Sequence, residues 1–253
     1  MKRLRVGLCF DAGIPDLEVS STFLKSVDVV VFPELFDGGY AALSNGAVPH
    51  RLNDPILQQF KAASKIFSLI CIAGSTLFQR GPSRATNTSL VFNQGRLIHR
   101  YDKIHLFRAT GDDRFFSRGR FADTFSLRSG SMKLRAGVAI CYDLRFPELI
   151  RNMALQGMQI LFVPARWPKS RDDAWQTLLK ARAIENQLFV VGCNALGSEG
   201  GYSYAFDPMG RMIFSTRGRS RSKRAKFSID LTRLDSARSI HRNIEDAVLL
   251  KKR

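Results

Sequence analysis

Apolar residues in this chain come mostly as short runs. Residues 4–10, 28–32, 68–74, 86–92, 96–101, 121–127, 132–140, 159–164, 188–193, 202–206, 211–215 and 226–229 are brief, rich in aliphatic and aromatic side chains, and separated by turn-forming residues. Runs of that length and punctuation predict strands. Between them, residues 15–26, 55–67, 145–156, 173–186 and 242–250 space their apolar positions as an amphipathic helix does. Asp54 before Pro55 offers an N-cap oxygen and a proline for the first turn, and Gly157 suits a helix stop. Asn93-Gln94-Gly95 and Ser129-Gly130-Ser131 suit hairpin turns. This order predicts an α/β fold with some antiparallel pairing. Neither a linker nor an internal repeat interrupts it, so residues 1–253 read as a single domain.

Composition changes this picture little, and charge changes it more. At 45% hydrophobic and 24% charged residues, the chain is not a disordered, collagen-like or disulfide-scaffold sequence. Its 39 Lys and Arg against 22 Asp and Glu give a net charge of +17, with an excess of 13 basic over 5 acidic residues in 201–253 alone. Residues 217–226 hold six basic side chains and no acid. The simpler reading is a solvated loop between late strands, since no aromatics interleave with the charges as a single-strand nucleic-acid platform requires. Nucleic acid is therefore not an expected partner.

No apolar run approaches the ~20 residues of a spanning helix, and the N-terminal apolar stretch stops at Asp11, too early for a signal-peptide core. The expectation is a cytoplasmic protein without a membrane partner. Cys9, Cys71, Cys141 and Cys193 are far apart and have no clustered histidines, which argues against a zinc site and for free thiols.

Three strand ends carry unusual chemistry. One run leads into Pro33-Glu34-Leu35, a second into Asp102-Lys103-Ile104, and a third into Cys141-Tyr142-Asp143 at the entry to a helix. Each residue has an ordinary explanation: a helix-start acid, a snorkelling lysine, a packed thiol. Brought together beyond the carboxyl ends of their strands, they have a joint one. A helix entry and an ammonium favour a thiolate, the ammonium can hold a tetrahedral oxyanion, and a carboxylate can carry the proton. That describes acyl transfer from an amide through a thioester. Cys9, Cys71 and Cys193 lie inside apolar runs and read as core residues.

The blocks Val31–Phe36 (Val-Phe-Pro-Glu-Leu-Phe), Tyr101–Phe107 (Tyr-Asp-Lys-Ile-His-Leu-Phe) and Gly137–Glu148 (Gly-Val-Ala-Ile-Cys-Tyr-Asp-Leu-Arg-Phe-Pro-Glu) resemble the three signatures of the nitrilase superfamily of carbon–nitrogen hydrolases. Residues 175–187, Gly192-Cys193-Asn194 and Asp207–Gly210 extend the likeness, which runs from about residue 4 to Arg253. The resemblance implies an α-β-β-α sandwich of mixed sheets that forms a homodimer through a helical face. It implies Glu34 as general base and acid, Lys103 as stabiliser and Cys141 as nucleophile, with no cofactor and no metal. The Cys-Tyr-Asp-Leu-Arg-Phe-Pro-Glu block resembles bacterial ω-amidase-like members rather than true nitrilases, which carry Cys-Trp-Glu.

Two positions depart from the pattern. Where relatives have a second glutamate nine residues after the lysine, this chain has Asp112, one methylene shorter, so a gap is expected there. Arg166, before Trp167, stands where Asn is more usual. The expected activity is hydrolysis of a linear ω-amide, releasing ammonia and a carboxylate. Tyr142, Arg145, Arg166 and Trp167 are the expected substrate-binding residues, with Arg145 or Arg166 either pairing an acidic substrate or serving as a structural salt-bridge partner. Alternatives are an N-carbamoyl-amide hydrolase and a weakened member that binds acidic ligands or polyanions.

Overall fold

A computed structural model describes residues 3–10, 21–79, 81–82, 84–130, 132–218 and 222–247. The first half of the chain supplies strands β1 (Arg3–Cys9), β2 (Val29–Val31), β3 (Ile70–Ile72), β4 (Thr76–Phe78), β5 (Thr86–Asn93) and β6 (Arg96–Asp102). The second half supplies β7 (Phe125–Ser129), β8 (Met132–Val138), β9 (Ile160–Ala165), β10 (Phe189–Asn194), β11 (Tyr204–Phe206) and β12 (Met212–Ser215). Then β13 (Arg224–Asp230) returns to the first sheet and pairs antiparallel with β1. The sheets run β13-β1-β2-β3-β5-β4, with β6 on β5, and β12-β11-β10-β9-β8-β7.

Strand alternation explains why two sheets and flanking helices result. Val29, Val31, Ile70, Ile72 and Val91 pack with residues of the second sheet. One residue out of step, Val30, Cys71, Leu90 and Phe92 pack on Ile56, Leu57 and Phe60. Strands apolar on both faces need a cover on each side. The helices are α1 (Ser21–Lys25), α2 (Gly39–Ser44), α3 (Pro55–Ile66), α4 (Asp112–Phe115), α5 (Pro147–Leu155), α6 (Asp172–Asn186) and α7 (Thr232–Ile240). Helix α3 covers the first sheet, whereas α6, with α5 beside it, covers the second. Gly192 on β10 lets α6 approach, since a Cβ there would lie 2.6 Å from the Trp175 ring.

Direction matters most for function. β1, β2 and β3 are mutually parallel, and β6 is antiparallel to β5, itself antiparallel to β3. β6 therefore points the same way as β2. In the other sheet β8, β9 and β10 are parallel. The segments after β2, β6, β8 and β9 all emerge at one end of the sandwich.

Several expected elements differ. Of the helix expected over 15–26, residues 21–25 are helical and 15–20 lie outside the described residues. The helix expected over 242–250 is a turn at 243–246, with 248–250 outside the described residues. The helix there is α7, which follows Asp230, whose Oδ1 accepts from the Thr232 N–H at 3.2 Å. Asp54 does not cap α3 with its side chain, because its Oδ2 accepts from the Arg51 N–H at 3.1 Å and from His50. In the basic run 217–226, residues 219–221 lie outside the described residues.

Gly74 supports the segment after β2. Its φ is +45°, and a Cβ there would sit 1.9 Å from the Pro33 carbonyl oxygen. Gly74→Ala is expected to lose about 2 kcal/mol of stability or more, read as a lower urea midpoint at unchanged slope.

Candidate active site

Glu34 follows β2 in a turn held from below by Ser75. The Leu35 N–H donates to Ser75 Oγ at 3.1 Å and the Phe36 N–H to the Ser75 carbonyl at 3.0 Å. Leu35 sits at φ +46°, a left-handed conformation unusual for a leucine. Lys103 follows β6, and its N–H donates to the Asn87 carbonyl of β5 at 2.8 Å. Cys141 opens the 3-10 turn Cys141–Arg145 beyond β8 and is itself at φ +45°. A strained left-handed residue at the start of a turn is characteristic of functional sites.

These residues meet across the sandwich rather than along one sheet. Lys103 Nζ donates to Glu34 Oε1 at 2.8 Å and to Asp112 Oδ2 at 2.7 Å, and all three side chains are fully buried. Glu34 Oε1 also accepts from Asn87 Nδ2 at 3.0 Å and from the Tyr40 hydroxyl at 3.5 Å, while Oε2 accepts the Arg166 N–H at 3.1 Å. Asp112 leaves no gap. Gly111, left-handed at φ +77°, starts α4 there and turns the chain inward, so the shorter side chain reaches the ammonium. Its oxygens also accept from the Phe107 N–H at 3.0 Å and the Thr110 hydroxyl at 3.1 Å.

The charges set the resting protonation. Burial pulls the Lys103 ammonium toward neutrality, but Glu34 and Asp112 outweigh it and hold its pKa well above the usual lysine range. Burial pushes the Cys141 thiol well above the usual range, Glu34 adds to this, and Lys103 pulls it back. The resting sulfur is therefore a thiol beside a carboxylate, not the thiolate that a helix entry alone predicts.

Cys141 forms the floor of a cavity of about 280 Å³ walled by Phe107, Tyr142 and Trp167. Asn194, at the end of β10, fixes Trp167 by taking its N–H at 2.9 Å and donating to its carbonyl at 2.8 Å. The Arg145 guanidinium stacks over Trp167 at 4.8 Å, and that of Arg171 over Phe107 at 5.3 Å. Among the described residues neither pairs with a carboxylate. Of the two roles expected for Arg166, its contacts are those of a structural partner. Its Nε donates to the Glu34 carbonyl at 2.8 Å, Nη2 to the Leu35 carbonyl at 2.8 Å and Nη1 to Glu199 at 3.0 Å. It lines the cavity but holds the Glu34 turn.

The Carbon-nitrogen hydrolase family matches residues 18–239 of this chain. The chain belongs to the carbon–nitrogen hydrolase family. The hydrolase is 34% identical over 194 residues to the 2-oxoglutaramate amidase of Bacillus subtilis (strain 168), covering 75% of this chain and 73% of that one. It is 35% identical over 192 residues to Omega-amidase YafV of Escherichia coli (strain K12), covering 74% and 71%. Its fold superposes on a CN-hydrolase superfamily protein from Xanthomonas campestris with a TM-score of 0.82, 25% identity and 98% of each chain covered. The α/β architecture of two mixed sheets with helices is that of the nitrilase superfamily.

Several side chains of the hydrolase's site escape sequence reading. Asp143 is fully buried and ties the lysine segment to the cysteine turn. It accepts from the Tyr101 hydroxyl at 2.7 Å, the His105 N–H at 2.8 Å and the Ile140 N–H at 3.1 Å. Its place two residues after Cys141 is a signal, since a carboxylate there is oddly sited for solvent. Asn87, Arg171 and Glu199 carry no local signal, because their roles depend on contacts distant in sequence.

Asp112→Asn leaves Lys103 with one anion, while Asp112→Glu forces a methylene into a filled space. Both are expected to lower kcat, the second by on the order of a hundredfold for a displacement near 1 Å. Steady-state turnover beside thermal unfolding checks this. Lys103→Met removes the charge that favours the Cys141 thiolate, so iodoacetamide alkylation near neutral pH is expected to slow.

Proposed function

We propose that this hydrolase cleaves a linear ω-amide through a Cys141 thioester, with Glu34, Lys103 and Asp112 as its charged partners. The observation that carries this reading is the Lys103 ammonium bridging Glu34 and Asp112 beside the thiol on the cavity floor. Glu34 takes the thiol proton as sulfur attacks the amide carbon. Lys103 stabilises the oxyanion of the tetrahedral intermediate. Glu34 then hands the proton to the amine, ammonia leaves, and a thioester remains. Water, deprotonated by Glu34, attacks the thioester, releasing a carboxylate and restoring the thiol. Every atom comes from the amide, water and side chains, so the sequence needs no cofactor. Asp112 holds the ammonium in place.

The cavity's size suits a small ligand, and Arg145 and Arg171, the two of its three arginines that pair with no carboxylate among the described residues, suit an acidic one. Of the two arginines expected for the substrate carboxylate, Arg145 is the one assigned to it, and Arg171 lines the same cavity. The relatives' names, 2-oxoglutaramate amidase and omega-amidase, favour the ω-amide of an oxo dicarboxylic acid. Exposed Leu155, Ile184, Met209 and Met212 around α5 and α6 support a homodimer through that face. The free buried thiols suit a reducing compartment such as the cytoplasm.

Ammonia release is the test. Cys141→Ala is expected to abolish it on every ω-amide that the parent hydrolyses, without loss of the folded far-UV signal. Wild-type release by this variant overturns the assignment. Arg145→Leu is expected to raise KM for an acidic ω-amide roughly tenfold or more, the worth of a charge-assisted hydrogen bond, and to spare a neutral amide.

A further inference from the structure

Arg166 brings a guanidinium into the wall of the active site, where its side chain is only 5% exposed. Two of its nitrogens meet the Glu34 and Leu35 carbonyls, which accept hydrogen bonds but carry no charge. Its only carboxylate partner by side chain among the described residues is Glu199, at 3.0 Å. Glu199 comes from the loop after β10, and its Oε2 also accepts the Tyr40 N–H at 3.2 Å. Backbone is packed tightly against this pair: Gly39 has φ +70°, and a Cβ there would lie 2.4 Å from Glu199 Oε2 and 2.6 Å from Arg166 Cζ. One ion pair thus spans the cysteine-side wall, the β10 loop and the Glu34 turn.

The charge arithmetic gives this pair a consequence for the reaction. Glu34 is faced by Lys103 from β6 with Asp112 behind it, by Cys141 beyond β8, by Tyr40 of α2 and by Arg166 beyond β9. Glu199 faces Arg166 and shares the cavity with Arg145 and Arg171. Without Glu199, Arg166 would present an uncompensated positive charge to both Glu34 and Cys141. A nearby cation favours the thiolate, so the Cys141 thiol would give up its proton more readily.

We propose that Glu199 is a positioning residue that neutralises Arg166, and thereby sets how readily the Cys141 thiol gives its proton to Glu34. This rests on Glu34 acting as the base for Cys141. It assigns Arg166 and Glu199 to tuning the proton transfer rather than to binding the substrate.

Three variants test it: Glu199→Gln, which keeps shape but removes charge, Arg166→Gln, and the two combined. The readouts are the pH midpoint of Cys141 alkylation by iodoacetamide, followed by mass spectrometry of the labelled peptide, and the acid limb of kcat/KM on the best ω-amide. Glu199→Gln is expected to move both midpoints down by roughly one pH unit. Arg166→Gln, leaving Glu199 unbalanced, moves both up, and the double variant returns them to the parent values. Glu199→Asp keeps the parent midpoints. Midpoints that stay at the parent values, or that move in the same direction in both single variants, overturn the proposal. If Glu199→Gln does not fold by circular dichroism, the upward shift in Arg166→Gln decides alone. A parent that hydrolyses no amide defeats the proposed reaction only, because the alkylation arm still reads the charge balance.

Discussion

Lys103 carries a full positive charge into a fully buried site, and Glu34 and Asp112 make that tolerable from 2.8 and 2.7 Å. Removing the ammonium from such a cluster strands two buried carboxylates, at a cost of roughly 3–5 kcal/mol. The arrangement around it follows from this constraint. Glu34 has to be delivered by one strand end and Lys103 by another that points the same way, and Asp112 has to return to them within a short loop. The turn carrying Glu34 is gripped by Ser75 on one side and Arg166 on the other. A site this dependent on charge pairing is rigid by necessity, because a small displacement leaves an ion without its counterpart.

The central strands β2, β3, β9 and β10 were legible in the chain because they are buried on both faces and read as nearly unbroken apolar runs. Glu34, Lys103 and Cys141 were legible because, although each alone has an ordinary explanation, the three strand ends together have a joint chemical one and resemble the family's signature blocks. Local signals failed where structure is made by distant partners. Helix α2 opens on Gly38 and Gly39, which read as a break, and β4 is three residues long and exists through its pairing with β5. Helix α7 has a weak apolar face, with Leu234 and Ala237 as its buried residues. The Asp112 position follows from the resemblance to the family, but its reach does not, since the left-handed Gly111 that brings it inward acts on the backbone rather than on side-chain length.

Arg166 shows how a departure from a family pattern can be read. A single arginine in place of an asparagine adds a charge beside the chemistry, and the structure supplies the opposite charge from a loop far along the chain. The wall keeps its net charge while gaining a strut between segments that asparagine is too short to join. Charge and shape are thus compensated by one residue, Glu199.

The pairing of β1 with β13 has a consequence for how the molecule is made. Seven residues of β1, Arg3–Cys9, find their partners at Arg224–Asp230. On a ribosome β1 emerges long before β13, so one edge of the first sheet stays open while all that lies between them is made. An open apolar edge is where strands of different chains join. Closing a sheet across so long a loop is also slow. Arg3 and Arg5 on β1 place charge on alternate positions of that waiting edge. The arginines of the first strand thus serve the nascent chain as well as the finished protein, by making the unpaired edge a poor template for its neighbours.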